Sequence, residues 1–111
     1  MHSVNLIVVE DEPAILSGIA AQIKRMDLPI SITGIYLNGA EALKDLSNSK
    51  PDLIITDVQM PVMTGLELIS RLKEQQYPAE YLVLSGYAEF EYVQKALRLN
   101  VSNYLLKPLR F

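Results

Sequence analysis

Cysteine is absent from this 111-residue sequence, which excludes every disulfide and every thiolate-held metal. That absence fits a reducing compartment, and the cytoplasm is the expected location. Histidine is almost absent: His2 stands alone beside the terminus and reads as chemically idle. No run of basic residues occurs, and thirteen acidic against ten basic side chains leave a formal charge of −3. Nucleic-acid affinity rests on neutralising phosphates, so this segment is poorly suited to bind DNA by itself. Long apolar runs are missing too. The opening stretch 6–9 is far too short for a signal peptide or a membrane span. No repeat, low-complexity tract or linker interrupts the chain. What remains is a sequence that is 50% hydrophobic, enough for one core in one compact domain. A chain of this length buries roughly two-thirds of its unfolded surface and needs no covalent staples.

Short apolar runs alternate with longer amphipathic stretches. Val4–Val9 is β-branched and followed by acids, the pattern of a strand buried on both faces. Pro13 suits the first turn of a helix, and Ile15, Ile19, Ile23 and Met26 continue it as one apolar stripe. Pro29 marks a break. A second strand is expected over 30–37, a short helix over 39–46 and a loop over 48–51. The third strand is expected over 53–56, followed by a turn and a helix with Leu66, Ile69 and Leu72 inward. A fourth strand is expected over 81–84, then a helix with Phe90, Val93 and Leu97 on one face and Ala96 beside them. Asn103–Leu106 forms a fifth strand. This order implies an α/β fold: one parallel sheet, right-handed crossovers, and helices on both faces.

In open sheets of this kind the ligand crevice lies beyond the carboxyl ends of the strands. Strand one runs into Glu10-Asp11-Glu12, strand three into Asp57, strand four into Ser85-Gly86 and strand five into Lys107-Pro108. Two carboxylates about 4 Å apart repel by roughly 4 kcal/mol at an effective dielectric near 20. A cation or a shared proton relieves that repulsion, and carboxylate oxygens with retained waters are what Mg²⁺ prefers. Asp57 is then both a metal ligand and a candidate nucleophile, because carboxylates form aspartyl-phosphate intermediates. Lys107 offers a point charge to a phosphoryl oxygen and Ser85 a hydrogen bond.

Each residue taken singly has an ordinary reading. Glu10, Asp11 and Glu12 suit the dipole of the helix that follows. Asp57 and Ser85-Gly86 suit turns, and Lys107-Pro108 is unremarkable. Their joint appearance at four strand ends is what points to a phosphoryl site. Met60 and Met63 read as packing in a loop, and Pro61 and Gly65 as shaping the turn into a helix. The polar face carrying Glu89, Glu91, Lys95 and Arg98 reads as solvated.

These segments resemble receiver domains of two-component signalling. VVEDEP resembles the family's first acidic segment and IITDVQMPVMTGLEL its phospho-acceptor segment. LSGYAEFEY resembles the switch-hydroxyl segment and NYLLKP the closing lysine segment. The resemblance runs in order along the whole chain. It implies a flavodoxin-like, doubly wound, five-stranded parallel sheet. It implies Asp57 as phospho-acceptor and Mg²⁺ as cofactor, with Asp11 and Asp57 as ligands, Glu10 acting through a metal-bound water, and the backbone carbonyl of Gln59 completing the shell. Lys107 would pair with the phosphoryl group, Ser85 would swing toward it, and Tyr104 would turn inward behind it. The Lys107–Pro108 bond is expected to be cis, a geometry open in practice only to proline. The partner implied is a sensor histidine kinase. The helix before the fifth strand belongs to the family's output surface, and Tyr92 falls on it.

Glu10 stands where many members have aspartate, which alters metal affinity. Ser85 stands where threonine is commoner, which frees its rotamer. The sequence also stops at Phe111, near where the family's fifth helix begins. Most or all of that helix is therefore expected to be missing, and residues 1–111 to be a receiver fragment of a longer regulator. An uncovered sheet face is expected to favour self-association, as is the helix-four surface. LSGYAEFEYVQKALRLNVSNYLLKP resembles receivers attached to AraC-type helix-turn-helix regulators. DNA binding is thus expected only through a missing C-terminal module, and no membrane partner is expected. Alternatives are a stand-alone receiver and an interaction module independent of phosphorylation. A haloacid-dehalogenase-like phosphatase is disfavoured, because Gln59 occupies the place of its second aspartate.

Overall fold

The computed structural model of the chain describes residues 3–60, 63–86 and 90–106. The strands are β1 (Val4–Val9), β2 (Ile30–Tyr36), β3 (Leu53–Asp57), β4 (Glu80–Ser85) and β5 (Asn103–Leu106). The helices between them are α1 (Pro13–Arg25), α2 (Gly39–Ser49), α3 (Gly65–Glu74) and α4 (Phe90–Arg98). All strand pairings are parallel, in the order β2-β1-β3-β4-β5. The expected α/β class, strand count and parallel sheet are thus observed.

The period of two along each strand sorts the core into two layers. Ile7 and Val9 of β1, Ile54 of β3 and Tyr81 and Val83 of β4 pack with α2, α3 and α4 through Leu46, Ile69 and Ala96. Leu6 and Val8, with Ile55 and Leu84, face the other way onto Ile19 and Ile23 of α1. Flanked by β2 and β3, β1 buries Leu6 through Val9 completely, as its unbroken apolar run requires. Among the described residues α1 is the sole helix on its face. Beside it, Leu53, Leu82 and Leu105 line an apolar recess of about 100 Å³ and stay half-buried.

Local chemistry sets the helix ends. Pro13 opens α1 at its first turn. Asn38 caps α2, its side chain accepting from the Glu41 N–H at 2.8 Å. Thr64 caps α3, accepting from the Glu67 N–H at 3.1 Å, with Glu67 itself 3.3 Å from the Thr64 hydroxyl. The Thr-x-x-Glu sequence is that of a capping box, but Glu67 accepts from the Thr64 hydroxyl and not from its backbone N–H.

Three expectations need correction. The second helix continues to Ser49 instead of ending at Leu46, and Lys50 closes it in the left-handed region at φ 44°. Once a helix is nucleated, each further residue costs little, so even weak helix formers are carried along. Met26 falls at the C-cap, just past the last residue of α1, and is 39% exposed at the edge of the apolar recess. The inward stripe is Tyr92 and Ala96 of α4 with Leu99 just past its end, whereas Leu97 is 70% exposed. At 3.6 residues per turn, Leu97 lies about 100° from Ala96, outside the stripe. Met60 and Met63 are buried in the core, as expected.

Candidate phosphoryl and metal site

The connection from β1 leads to one side of the sheet and that from β3 to the other, so the strand order reverses between these neighbours. A crevice forms at such a reversal, beyond the carboxyl ends of the strands. Glu10 and Asp11 leave β1 at that point, and Asp57 ends β3 beside them. One carboxylate oxygen from each of the three lies within 4.8 Å of the others. Glu10 is only 1% exposed and Asp57 6%, with Asp11 half-buried at the rim. The sheet thus brings together three of the carboxylates expected from the sequence.

Two buried carboxylates at this separation repel by roughly 3.5 kcal/mol at an effective dielectric of 20. The donor set contains only hard oxygen atoms, with neither imidazole nor thiolate. It therefore fits Mg²⁺ or a similar hard dication, not zinc or copper. The Glu10 carboxylate is oriented by the chain itself, because its Oε2 accepts the Glu12 N–H at 3.2 Å. Glu12 immediately precedes α1, so the start of that helix fixes one wall of the crevice.

The segment after β3 folds back over the Asp57 main chain. Val58 donates to Leu84 O at 3.3 Å, and Gly65 donates to Val58 O at 2.9 Å. The approach at Gly65 is so close that a Cβ there would lie 1.9 Å from the Asp57 carbonyl oxygen. No side chain fits that gap. Residue 65 must be glycine for α3 to begin where it does, with its first turn pressed against the backbone that carries Asp57. The Thr56 hydroxyl donates to the same carbonyl at 3.0 Å.

Ser85 ends β4 and is buried. In the parallel register Asp57 pairs with Leu84 and Ser85 with Leu106. The hydroxyl therefore leaves the sheet one residue beyond the partner of Asp57. Tyr104, on β5, pairs with Val83 and is half-buried against the layer that holds α2, α3 and α4. Gln59 is exposed, and its Nε2 donates to the Tyr92 hydroxyl on α4 at 2.8 Å. Sequence reading missed this bond, because nothing in spacing alone links a loop residue to a helix thirty-three positions on. Lys107 and Pro108 lie outside the described residues, and with them the expected cis bond.

The chain is 41% identical over 103 residues to the uncharacterized transcriptional regulatory protein YesN of Bacillus subtilis; the match covers 93% of this chain and 28% of that protein. It is 32% identical over 108 residues to the transcriptional regulatory protein MalR of the same organism, covering 97% of this chain and 46% of MalR. The chain thus spans less than half the length of these relatives. Among solved structures, it superposes with a TM-score of 0.85 on the REC domain of AraT, a response regulator from Geobacillus stearothermophilus, at 33% identity, covering 96% of this chain and 83% of that one. The signal receiver domain of the putative response regulator NarL from Mycobacterium tuberculosis shares the fold at a TM-score of 0.91 and 24% identity, covering 99% of this chain and 88% of that one. The response regulator receiver domain model matches residues 6–111, from the middle of β1 onward and through the whole acidic crevice. The chain therefore belongs to the family of response regulator receiver domains.

Proposed function

We propose that Asp57 accepts a phosphoryl group from a sensor histidine kinase in a Mg²⁺-dependent step, and that the acyl phosphate switches an output surface around α4. Receiver domains are the signalling switches of two-component systems, not turnover enzymes. The observation that carries the finer reading is the carboxylate cluster of Glu10, Asp11 and Asp57 at the strand-order reversal.

In the transfer, an Asp57 carboxylate oxygen bonds to phosphorus as the phosphorus–nitrogen bond to the donor imidazole breaks. Asp11, Asp57 and the Gln59 carbonyl would hold Mg²⁺ directly, with Glu10 acting through a water. When bound, the ion supplies positive charge that screens the incoming phosphate. Lys107 pairs with a phosphoryl oxygen and Ser85 donates a hydrogen bond to another. As the Ser85 hydroxyl moves, Tyr104 turns into the space it leaves. Reversing a 1:99 population needs about 5.5 kcal/mol of differential stabilisation. A few charge-assisted contacts of roughly 1.5–3 kcal/mol each supply it.

Residues 1–111 are proposed to be the receiver part of a longer regulator. Output through a separate DNA-binding module is supported by the transcriptional regulatory names of YesN and MalR. Self-association is proposed to use the α4 surface, where Leu97 is exposed, or the sheet face beside α1, which among the described residues is only half-covered; strictly monomeric sedimentation at high concentration would refute it. Among the described residues no helix is long and apolar enough to cross a membrane.

Intact-mass spectrometry after incubation with acetyl phosphate, with and without Mg²⁺, tests the assignment on the natural protein and on Asp57→Asn. The expected result is a Mg²⁺-dependent gain of one phosphoryl group that Asp57→Asn abolishes. A gain that survives in Asp57→Asn would refute Asp57 as acceptor.

A further inference from the structure

Between α3 and α4 lies an open groove of about 400 Å³, within the roughly 300–1,000 Å³ range of small-molecule sites. It is separate from the acidic crevice. Its apolar surface comes from Val58, Leu66 and Leu99. Gln59 and Tyr92 also line it, joined by the hydrogen bond from Gln59 Nε2 to the Tyr92 hydroxyl. Ser70 offers a hydroxyl at the far end of the α3 wall.

The charge on the two walls is unequal. Lys95 and Arg98 line the α4 side three residues apart, a spacing that puts them on one helical face. Among the described residues neither is paired with a carboxylate. The acid on the opposite wall, Glu67, is held 3.3 Å from the Thr64 hydroxyl. That contact ties it to the start of its own helix, although it also lines the groove. Two cations above an apolar floor complement a ligand with an apolar body and one anionic end.

Length decides between a small molecule and a peptide. From Tyr92 to Leu99 the α4 wall spans seven residues, about 10 Å at 1.5 Å per residue. On the α3 wall the lining runs only from Leu66 to Ser70, about one turn. A recognition helix needs several turns of groove to seat its i, i+4 and i+7 anchors. A ring or short chain ending in a carboxylate fits the available length, and a planar guanidinium such as that of Arg98 matches a carboxylate with two parallel hydrogen bonds.

We propose that the α3–α4 groove binds a small amphipathic carboxylate, its apolar body on Val58, Leu66 and Leu99 and its anionic end at Lys95 and Arg98. Such a ligand shares its groove with Gln59, two residues beyond Asp57 in sequence. Any effect on phosphorylation rests on the receiver reading given above; the binding itself does not.

The test uses 4-phenylbutyrate as probe and the natural protein, read by ligand-observed saturation-transfer NMR with titration. Saturable binding is expected. Lys95→Ala/Arg98→Ala should weaken it at least tenfold, and the uncharged 4-phenylbutyramide should bind at least tenfold more weakly than the acid. Both substituted side chains are exposed, so the double variant should stay folded. Ser70→Phe, which fills the groove, should abolish binding. No saturable signal overturns the proposal, as does equal affinity for the double variant or for the amide. Binding of an acidic peptide at Lys95 and Arg98 without binding of 4-phenylbutyrate overturns it in favour of a protein-docking surface. Phosphorylation of Asp57 is not read at any step, so failure here and failure of the acceptor assignment remain distinct.

Discussion

Gly65→Ala adds one methyl group at the point where α3 meets the acceptor strand. The new Cβ would lie 1.9 Å from the Asp57 carbonyl oxygen and 2.9 Å from the Thr56 hydroxyl oxygen. Ordinary carbon–oxygen contact needs more than 3 Å, so backbone must move by over an ångström. The obstacle is main chain in a central strand, not the flexible end of a side chain. Overpacking commonly costs about 1–3 kcal/mol, and this geometry places the cost at the upper end. Alanine recovers up to about 1 kcal/mol of helix propensity, less at a first helical position. The φ angle at Gly65 is not positive, so left-handed strain adds nothing. The net is about 2–3 kcal/mol, which lowers the melting temperature of a domain this size by roughly 10–20 °C. Thermal and urea unfolding measure it, with Gly18→Ala as the matched control. Nothing lies within 4 Å of a Cβ at Gly18, in the middle of α1, so alanine there should stabilise by up to about 1 kcal/mol. The displaced Asp57 backbone should also slow the Mg²⁺-dependent mass gain at least tenfold. An unchanged midpoint for Gly65→Ala would refute the close approach and the account of why α3 starts where it does.

Alkaline stability offers a second test. Burial, with the neighbouring Tyr77 phenol, pushes the Tyr81 hydroxyl up to about 12, and burial raises Tyr77 as well. A folded-state pKa raised above the unfolded value near 10 favours the neutral phenol. Its contribution is full below pH 10 and lost as pH rises toward 12, at up to about 1.4 kcal/mol per pH unit per proton. Tyr81→Phe should flatten that decline in urea midpoints; an unchanged slope would refute the burial argument. Mg²⁺ at a hundredfold excess over its dissociation constant should stabilise the fold by about 2.7 kcal/mol. Asp11→Asn should remove most of that gain, and a melting temperature insensitive to Mg²⁺ in the unsubstituted protein would count against the metal site. Thr64→Ala and Asn38→Ala each remove a helix cap and should cost about 0.5–2 kcal/mol in denaturant melts. Thr64→Ala should also slow phosphorylation, because its helix starts against Asp57, whereas a loss of rate in Asn38→Ala alone would contradict that link.

The order of strands and helices was legible because each strand carries its own signature. Val4–Val9 could not be an amphipathic helix, and Pro13 could only start one. The carboxylates of Glu10, Asp11 and Asp57 were legible for the same reason: in a parallel α/β sheet, the residues at the carboxyl ends of the strands are the ones that can reach the ligand crevice. Family resemblance supplied proposals that residue chemistry could not, such as the Gln59 carbonyl as a metal ligand and a switching role for Tyr104. Tertiary structure alone decided the rest. The order β2-β1-β3-β4-β5 brings Glu10 and Asp57 together across one strand boundary, and adjacency of strands distant in sequence depends on how whole layers pack. The inward face of α4 was settled by which side chains the sheet could accept, so Leu97 lost its place to Tyr92 and Leu99. A gap too small for one methyl group over Asp57, and the Gln59–Tyr92 bond, are distances between segments. Local sequence sets what each segment is; only the packing of segments sets how close they come.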